Sequence, residues 1–402
     1  MNILSCNHQQ VTTNVQYFSS VNEITDAIWQ QLGCTQNLYF NPKYLEALQQ
    51  CNEQIHCSYV VLFNNNQQAI AFATIQVVDF YLDSVQNDMQ SVIEWFKCMG
   101  RKLHLLSPEK PFKILTCGNT FVSGEHGIFI EQTQDKKQVV DELAKAIVQY
   151  AKTTLNNSVD AFMMKDFRND SLFITDTLKE ENYYSFNVEP NMILKLEAHW
   201  TNFEDYLAAM KTKFRVKAKR AIKQSDSLHI ENVTIDSIDE LLPKMTSLYK
   251  TVSTKASFNL GDFNLDTYKH LKQNLGDAYI IRAYFLHDNL VGFMSGILNK
   301  DTLDAHFVGI DYAFNKTYAI YQRMLYDYVI LGIQEKVSYI NFGRTASEIK
   351  SSVGAIPQDL TIYLRHKKTI PNKFLRLFLN KIKPTEFKLN MPFKESQLIE
   401  KA

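Results

Sequence analysis

Two residues on one predicted strand, Asp304 and His306, have the chemistry of an acid–base pair. Polar and apolar residues alternate over Leu303–Phe307, and alternate residues of a strand point to the same face, so this carboxylate and imidazole are expected side by side. An imidazole has an unperturbed pKa of about 6.5, which suits a general base. Tyr321, predicted at the start of the next helix, could donate a proton to a leaving group. These three are our candidate catalytic residues; local hydrogen bonding for His306 and packing for Tyr321 are the alternatives.

Arg344 is expected where a strand end meets a helix start. The apolar run Val337–Phe342 predicts a short buried strand, and the spacing of Thr345 and Glu348 matches a capping box that would begin a helix. Unpaired N–H donors at a helix N-terminus favour anions. Arg344 and the following Lys350 are therefore predicted to hold an anionic group of a substrate. A solvated arginine on a well-capped turn is the alternative.

Basic side chains are concentrated in residues 211–223, which contain seven Lys and Arg residues and no acid. A helix here would spread these charges over more than one face, and clustered like charges repel one another unless an anion binds. We assign binding of an anionic donor to Lys213 and Arg215, and to Lys316 further along the chain. A phosphate-bearing donor, a tRNA or a lipid headgroup would fit, and a solvated helix face is the alternative.

The last part of the chain is also basic and contains apolar residues among its charges, including Phe374, Leu375 and Leu377. A segment of this kind could contact an anionic membrane surface. A terminal helix that packs on the second half of the chain is the other interpretation.

The whole chain has 402 residues, no net charge and 45% hydrophobic residues, which is typical of a globular protein with two or three domains. Zero net charge argues against DNA as a partner. The first residues lack the pattern of a secretory signal and no long apolar run follows, so we expect a cytoplasmic protein. The six cysteines lie in the first 117 residues with a spacing that matches no zinc site, and no metal is predicted.

The sequence contains a weak internal duplication. Residues 59–73 and 280–294 both read as strand, polar turn and strand, and a similar helix precedes each of them. Downstream, a helix over Val139–Leu155 leads into a strand at Val159–Met164, and a helix over Ile320–Ile333 leads into the strand before Arg344. We predict two copies of one mixed α/β fold, at 1–195, with an insertion near 80–130, and at 196–402. Chance recurrence of common elements is the alternative.

Three blocks resemble the FemAB-like group of tandem acetyltransferase-like (GNAT) proteins, over most of residues 40–365. Residues 341–355, from Asn341 through Arg344 and Lys350, look like the family's "DFG…FK…G" block, and Lys165 and Asp166 belong to a similar block in the first half. The basic segment at 211–220 resembles the start of the family's second domain. The resemblance implies an α/β (α+β) fold with two GNAT-like domains, and substrate binding by these five residues.

The resemblance implies a bacterial N-acyltransferase or aminoacyltransferase that acts on an amine of a cell-envelope precursor, such as a peptidoglycan precursor, or of a small metabolite. Acyl-CoA, an acyl carrier or aminoacyl-tRNA would be the co-substrate, with no tightly bound cofactor. Asp311–Tyr321 lacks the glycines of the acetyl-CoA pyrophosphate loop, which disfavours acetyl-CoA. Contact with the inner face of the membrane, and a non-catalytic tandem module that binds an anionic ligand or partner, stay open.

Overall fold

The computed structural model describes residues 14–80, 111–255, 261–380, 382 and 384–394. These residues form two mixed sheets with helices packed against them, and each sheet comes mainly from one half of the chain. The α/β (α+β) class with two tandem sheets is therefore confirmed. Residues 81–110 of the predicted insertion lie outside the described residues.

The elements follow the order that the duplication predicts, because each half contains a helix, a hairpin, a strand, a crossover helix and a further strand. The strands are β1 (Asn14–Phe18), β2 (His56–Phe63), β3 (Ala69–Phe80), β4 (Phe112–Cys117), β5 (Ile128–Ile130), β6 (Ala161–Arg168), β7 (Tyr184–Asn187), β8 (Asn191–Lys195), β9 (Leu228–Asn232), β10 (Tyr279–Leu286), β11 (Asn289–Asn299), β12 (Thr302–Ile310), β13 (Tyr339–Asn341), β14 (Ile356–Gln358) and β15 (Leu360–His366). The α-helices are α1 (Asp26–Leu32), α2 (Pro42–Cys51), α3 (Lys136–Thr153), α4 (Phe203–Ala209), α5 (Thr212–Gln224), α6 (Ile238–Ser253), α7 (Thr267–Leu275), α8 (Tyr312–Tyr318), α9 (Ile320–Gln334), α10 (Ser347–Ser352) and α11 (Thr369–Leu379).

The two sheets have the same strand pattern, and each takes one strand from the other half of the chain. The first has the order β1-β2-β3-β4-β6-β15-β7, with β5 also paired to β3; the second, written in the matching direction, is β9-β10-β11-β12-β13-β8-β14. In both sheets a parallel pair, β4 with β6 or β12 with β13, is followed by an antiparallel neighbour. That neighbour is β15 in the first sheet and β8 in the second, so the sheets exchange strands across the proposed boundary at 195.

An apolar core joins the two halves. Trp29 and Phe72 from the first half belong to the same buried cluster as Tyr268 and Phe293 from the second. The corresponding helices α2 and α7 pack together there. Buried Asn52 at the end of α2 donates from its amide to the Thr267 hydroxyl at 2.9 Å. Buried apolar contacts and this paired amide hold the sheets in one arrangement.

The predicted crossover helices correspond to α3 and α9 and are confirmed, but the predicted capping box after Arg344 is wrong. Thr345 has a φ of 66° and Ala346 a φ of 51°, and α10 begins only after Ala346, with no side-chain cap. Two successive left-handed residues turn the backbone sharply, so the Thr345 side chain does not take the N-cap position. The preceding strand is also shorter than predicted, since β13 has three residues.

The C-terminal helix α11 packs on the first sheet. This differs from the interpretation that a terminal helix packs on the second half of the chain. Leu375 and Leu379 of α11 share a buried cluster with Ile362 of β15 and Met163 of β6. Residues 384–394 then return to the second half, where Phe393 packs among the apolar residues around Trp200. Among the described residues, no helix has both the length and the apolarity to cross a bilayer.

Candidate functional site

The second sheet opens at the point where β12 and β13 separate. The two parallel strands pair at three positions, the last of which joins Asp304 to Asn341, and β12 then continues alone on that side to Ile310. A cavity of about 590 Å³ lies in the opening. The matching strand of the first sheet is β4, which is paired with β6 up to its final residue, Cys117, opposite Met164. β4 therefore does not extend beyond its partner and has no such free edge.

Both halves of the chain line this cavity, which we call the splay cavity. The second half supplies residues of β12, the start of α9 and the tip after β13, and the first half supplies the loop Thr120–Ser123. The predicted catalytic and substrate-binding side chains that line it are His306, Tyr321, Asn341, Arg344, Lys350 and Lys165. The structure thus brings together most of the residues that the sequence singled out.

Asp304 lies behind the cavity wall, in a buried set of hydrogen bonds. Its two carboxylate oxygens accept from the Tyr39 hydroxyl at 2.8 Å and from the Asn341 amide at 2.8 Å. Burial raises the pKa of Asp304 to about 6, although both hydrogen bonds act in the opposite direction. Tyr39 is a residue that the sequence analysis missed, because it lies 265 positions away in the first half and no local pattern marks it.

His306 is in the cavity wall but does not form the expected pair with Asp304. Its Nδ1 lies 3.2 Å from the Tyr279 hydroxyl, and its Nε2 is buried with no hydrogen-bond partner among the described residues. Phe263 and Phe307 pack around the ring. This apolar burial lowers the pKa of His306 to about 3, so the imidazole is neutral near pH 7.

Lys165, Asp166 and Arg344 form a buried charged cluster between the halves. Lys165 and Arg344 each donate to a different carboxylate oxygen of Asp166, and Arg344 Nε donates to the Glu189 carbonyl at 3.1 Å. Burial acts to raise the pKa of Asp166, but the two cations outweigh it and hold the pKa below its usual value. Two of the five N–H donors of Arg344 are therefore already used within the protein.

Lys350 reaches from α10 back to the tip and is buried. Its Nζ donates to the carbonyl oxygens of Gly343 at 3.2 Å and of Arg344 at 2.6 Å. Burial lowers its pKa to about 7, with Glu189 acting weakly against the shift. Near neutral pH a large part of this amine is therefore uncharged, with a lone pair available beside the cavity.

Tyr321 lies in the cavity wall at the start of α9. Burial raises the pKa of its hydroxyl, which therefore keeps its proton at neutral pH. Its backbone N–H donates to Asn315 Oδ1 at 2.9 Å. The preceding residues, expected as a loop without glycine, form the short helix α8, which is followed by the left-handed residue Ala319.

The three predicted anion-binding residues do not line one common cavity. Lys213 on α5 lines a second cavity of about 680 Å³, whereas neither Arg215 nor the exposed Lys316 is part of either cavity wall. A lysine that the sequence analysis missed, Lys255, lines the splay cavity, where its Nζ lies 3.5 Å from the centre of the Tyr312 ring.

Comparison with known proteins gives a match in fold. No model of a protein family and no curated protein matches the sequence. The structure is similar to that of FemX, with a TM-score of 0.50 and 10% identity over 85% of this chain and 96% of the other. It is also similar to a tandem GNAT protein from the clavulanic acid biosynthesis pathway, with a TM-score of 0.51 and 8% identity over 89% of this chain and 99% of the other. The chain therefore has the tandem GNAT-like fold of these two proteins.

Proposed function

We propose that this chain transfers an activated acyl group to an amine in the splay cavity. The observation that carries the proposal is the cavity itself, where β12 has a free edge and where His306, Tyr321 and Lys350 line one space. Acyl transfer to an amine requires an acceptor for the amine proton, a proton donor for the leaving group and alignment of the reactants. The tandem GNAT-like fold supports this reaction class.

Lys350 is better suited than His306 to accept the proton of the attacking amine. A general base works best when its pKa lies near the working pH, and burial places the pKa of Lys350 at about 7. When Lys350 is neutral, two N–H bonds suffice for the carbonyl oxygens of Gly343 and Arg344, and the lone pair is left for the substrate. The pKa of His306, at about 3, makes its imidazole a weak base that accepts a hydrogen bond without taking the proton.

The remaining groups position the reactants and assist the leaving group. The Tyr321 hydroxyl, whose pKa is raised by burial, keeps its proton and can donate a hydrogen bond to a leaving thiolate or alkoxide. Beyond Asp304, the backbone groups of β12 that face away from β11 have no strand beside them and can hydrogen-bond an amide-bearing donor. Asp304 does not line the splay cavity. We assign it a positioning role, because its carboxylate accepts a hydrogen bond from Asn341 where β12 and β13 separate.

The donor we propose is a thioester or an aminoacyl ester, and the acceptor is an amine of a small metabolite or a cell-envelope precursor. The full-length chain would be screened by thermal shift against coenzyme A, acyl-CoAs, amino acids, aminoacyl-tRNA and nucleotide-sugar precursors. A ligand that binds only the folded state raises the melting temperature. Stabilising donors and acceptors would then be combined, and the acylated amine detected by mass spectrometry.

The role of Lys350 is tested by the pH dependence of kcat and by Lys350→Met, which keeps the side-chain length and removes the nitrogen. We expect kcat to rise with pH to a plateau above about 7 and to fall at least about 100-fold in the variant. Lys152→Met, at an exposed position of α3, is the matched control. A flat profile above pH 5, or full activity in Lys350→Met, would reject this lysine as the base. Failure of every donor and acceptor pair would instead favour a non-catalytic binding module.

A further inference from the structure

The second cavity lies against the first and is built from three segments that are distant in sequence. Its walls are the first turns of α5, residues 346–349 at the start of α10, and the returning tail at 385–390. Glu189 and Ala346 line both cavities, so the two cavities adjoin beside the tip after β13. A molecule that occupies the second cavity would therefore lie next to the splay cavity.

Three lysines face this second cavity from two sides. Lys213 and Lys217 are four residues apart on α5 and Lys388 lies on the tail opposite. None of the three forms an ion pair with another residue that the structure describes, and Lys217 reaches only the Ser352 hydroxyl, at 3.5 Å. By contrast, Lys219 on another face of α5 is within 3.6 Å of Glu204. Like charges at this helical spacing repel each other, and a bound anion would relieve that repulsion.

The other groups of this cavity do not cancel the positive charge. Glu348 and Glu189 also line it, and their two carboxylates against three ammonium groups leave a formal charge of +1. The first turn of α5 lies at this wall through Lys213 and Phe214 and lacks a side-chain cap, so the partial positive charge at the start of a 13-residue helix lies nearby. Phe214, Ile349 and Phe387 supply apolar surface beside the charges.

We propose that this second cavity binds the phosphate groups of a phosphorylated co-substrate whose reactive end lies in the splay cavity. The proposal rests on the acyl transfer proposed above and adds the class of one substrate. Three ammonium groups offer many N–H donors to an anion with several oxygens, as in a pyrophosphate or a phosphodiester. A volume of about 680 Å³ is sufficient for such a group together with part of the molecule that carries it.

The test is the binding of inorganic pyrophosphate to the full-length chain, measured by calorimetry at fixed ionic strength. Wild type would be compared with Lys213→Ala/Lys217→Ala and with the matched double variant Lys219→Ala/Lys223→Ala, which removes two lysines from the same helix outside the cavity. We expect saturable binding that is weakened at least about tenfold in the first variant and less than about twofold in the second. Succinate, which has carboxylates in place of phosphates, should bind more weakly than pyrophosphate.

Several outcomes would overturn the proposal. Absence of saturable binding, equal weakening in both double variants, or tighter binding of succinate would each show that these lysines do not form a phosphate site. All four lysines are exposed, so the variants should keep the melting temperature of wild type. Because the experiment contains no acyl donor or acceptor, its failure leaves the transfer reaction standing. An inactive chain that still binds pyrophosphate would reject only the transfer.

Discussion

Asn341 donates a hydrogen bond from its side-chain amide to Asp304 across the last residue pair of β12 and β13, at a distance of 2.8 Å. The same nitrogen donates to the Ser123 carbonyl at 3.2 Å. One side chain thus connects the two strands, at the position where they separate, with a loop from the first half. The splay cavity begins immediately beyond this connection, so its geometry depends on both halves.

Asp304→Asn should change how stability depends on pH. The folded state raises the pKa of Asp304 to about 6, so the folded chain binds this proton more tightly than the unfolded chain does. Ionising the buried carboxyl therefore lowers the free energy of unfolding. The loss begins as the pH rises from about 4 and reaches its full size above about 6. Relative to the variant, wild type should lose about 2 to 3 kcal/mol of unfolding free energy between pH 4 and pH 7.5.

Urea denaturation of both proteins at the two pH values would measure this difference. Other carboxyl groups titrate in both proteins and cancel in the comparison. An identical pH dependence in wild type and variant would show that the pKa of Asp304 is not raised. The variant keeps a side-chain oxygen that can accept the hydrogen bond from the Asn341 amide.

Lys350→Met should have an effect on stability in a different pH range. The folded state lowers the pKa of Lys350 to about 7, so the unfolded chain binds the proton more tightly and stability rises with pH above about 7. Between pH 6 and pH 9, wild type should gain about 2 to 3 kcal/mol of unfolding free energy relative to the variant. Denaturant titrations at these two pH values test this. A gain below about 0.5 kcal/mol would indicate that the amine stays protonated throughout.

Asp166→Asn should destabilise the fold strongly. Asp166 has a φ of 67°, which Asn adopts readily, so the substitution changes the charge and leaves the backbone conformation intact. Lys165 and Arg344 would then lose their shared carboxylate, and removal of one partner of a buried ion pair typically costs about 3 to 5 kcal/mol. Thermal and chemical unfolding would measure the loss.

The matched control for this substitution is Asp170→Asn, because Asp170 pairs with Arg168 at the surface. We expect it to change the unfolding free energy by less than about 1 kcal/mol. Similar losses in the two variants would mean that the cluster between the halves has no special role in stability.

Gly354→Ala should displace the returning tail. Gly354 has a φ of 104°, and a Cβ there would lie 2.2 Å from the Phe393 ring, which is packed against Trp200 and Tyr206. We expect a loss of about 2 to 4 kcal/mol and faster proteolysis after residue 380. Gly276→Ala is the control, since its φ is 55° but no atom lies within 4 Å of the added carbon. Equal proteolysis of the two variants would contradict the packing of the tail.

Local patterns in the sequence determined the repeated order of elements in the two halves, the crossover helices and the basic helix α5. These features could be predicted because helical periodicity and turn residues act over a few positions. The same reasoning failed for Thr345, where the capping pattern is present but two left-handed residues place it outside the helix.

Tertiary structure alone decided which strands share a sheet and what surrounds the candidate residues. The exchange of β8 and β15, the contact of Tyr39 with Asp304 and the three-segment wall of the second cavity join parts of the chain that no local pattern connects. The protonation states of His306 and Lys350 depend on how much water the fold removes from each group. Residue type and spacing do not encode this burial, so the sequence named six polar side chains of the splay cavity while the fold determined which of them can act as a base.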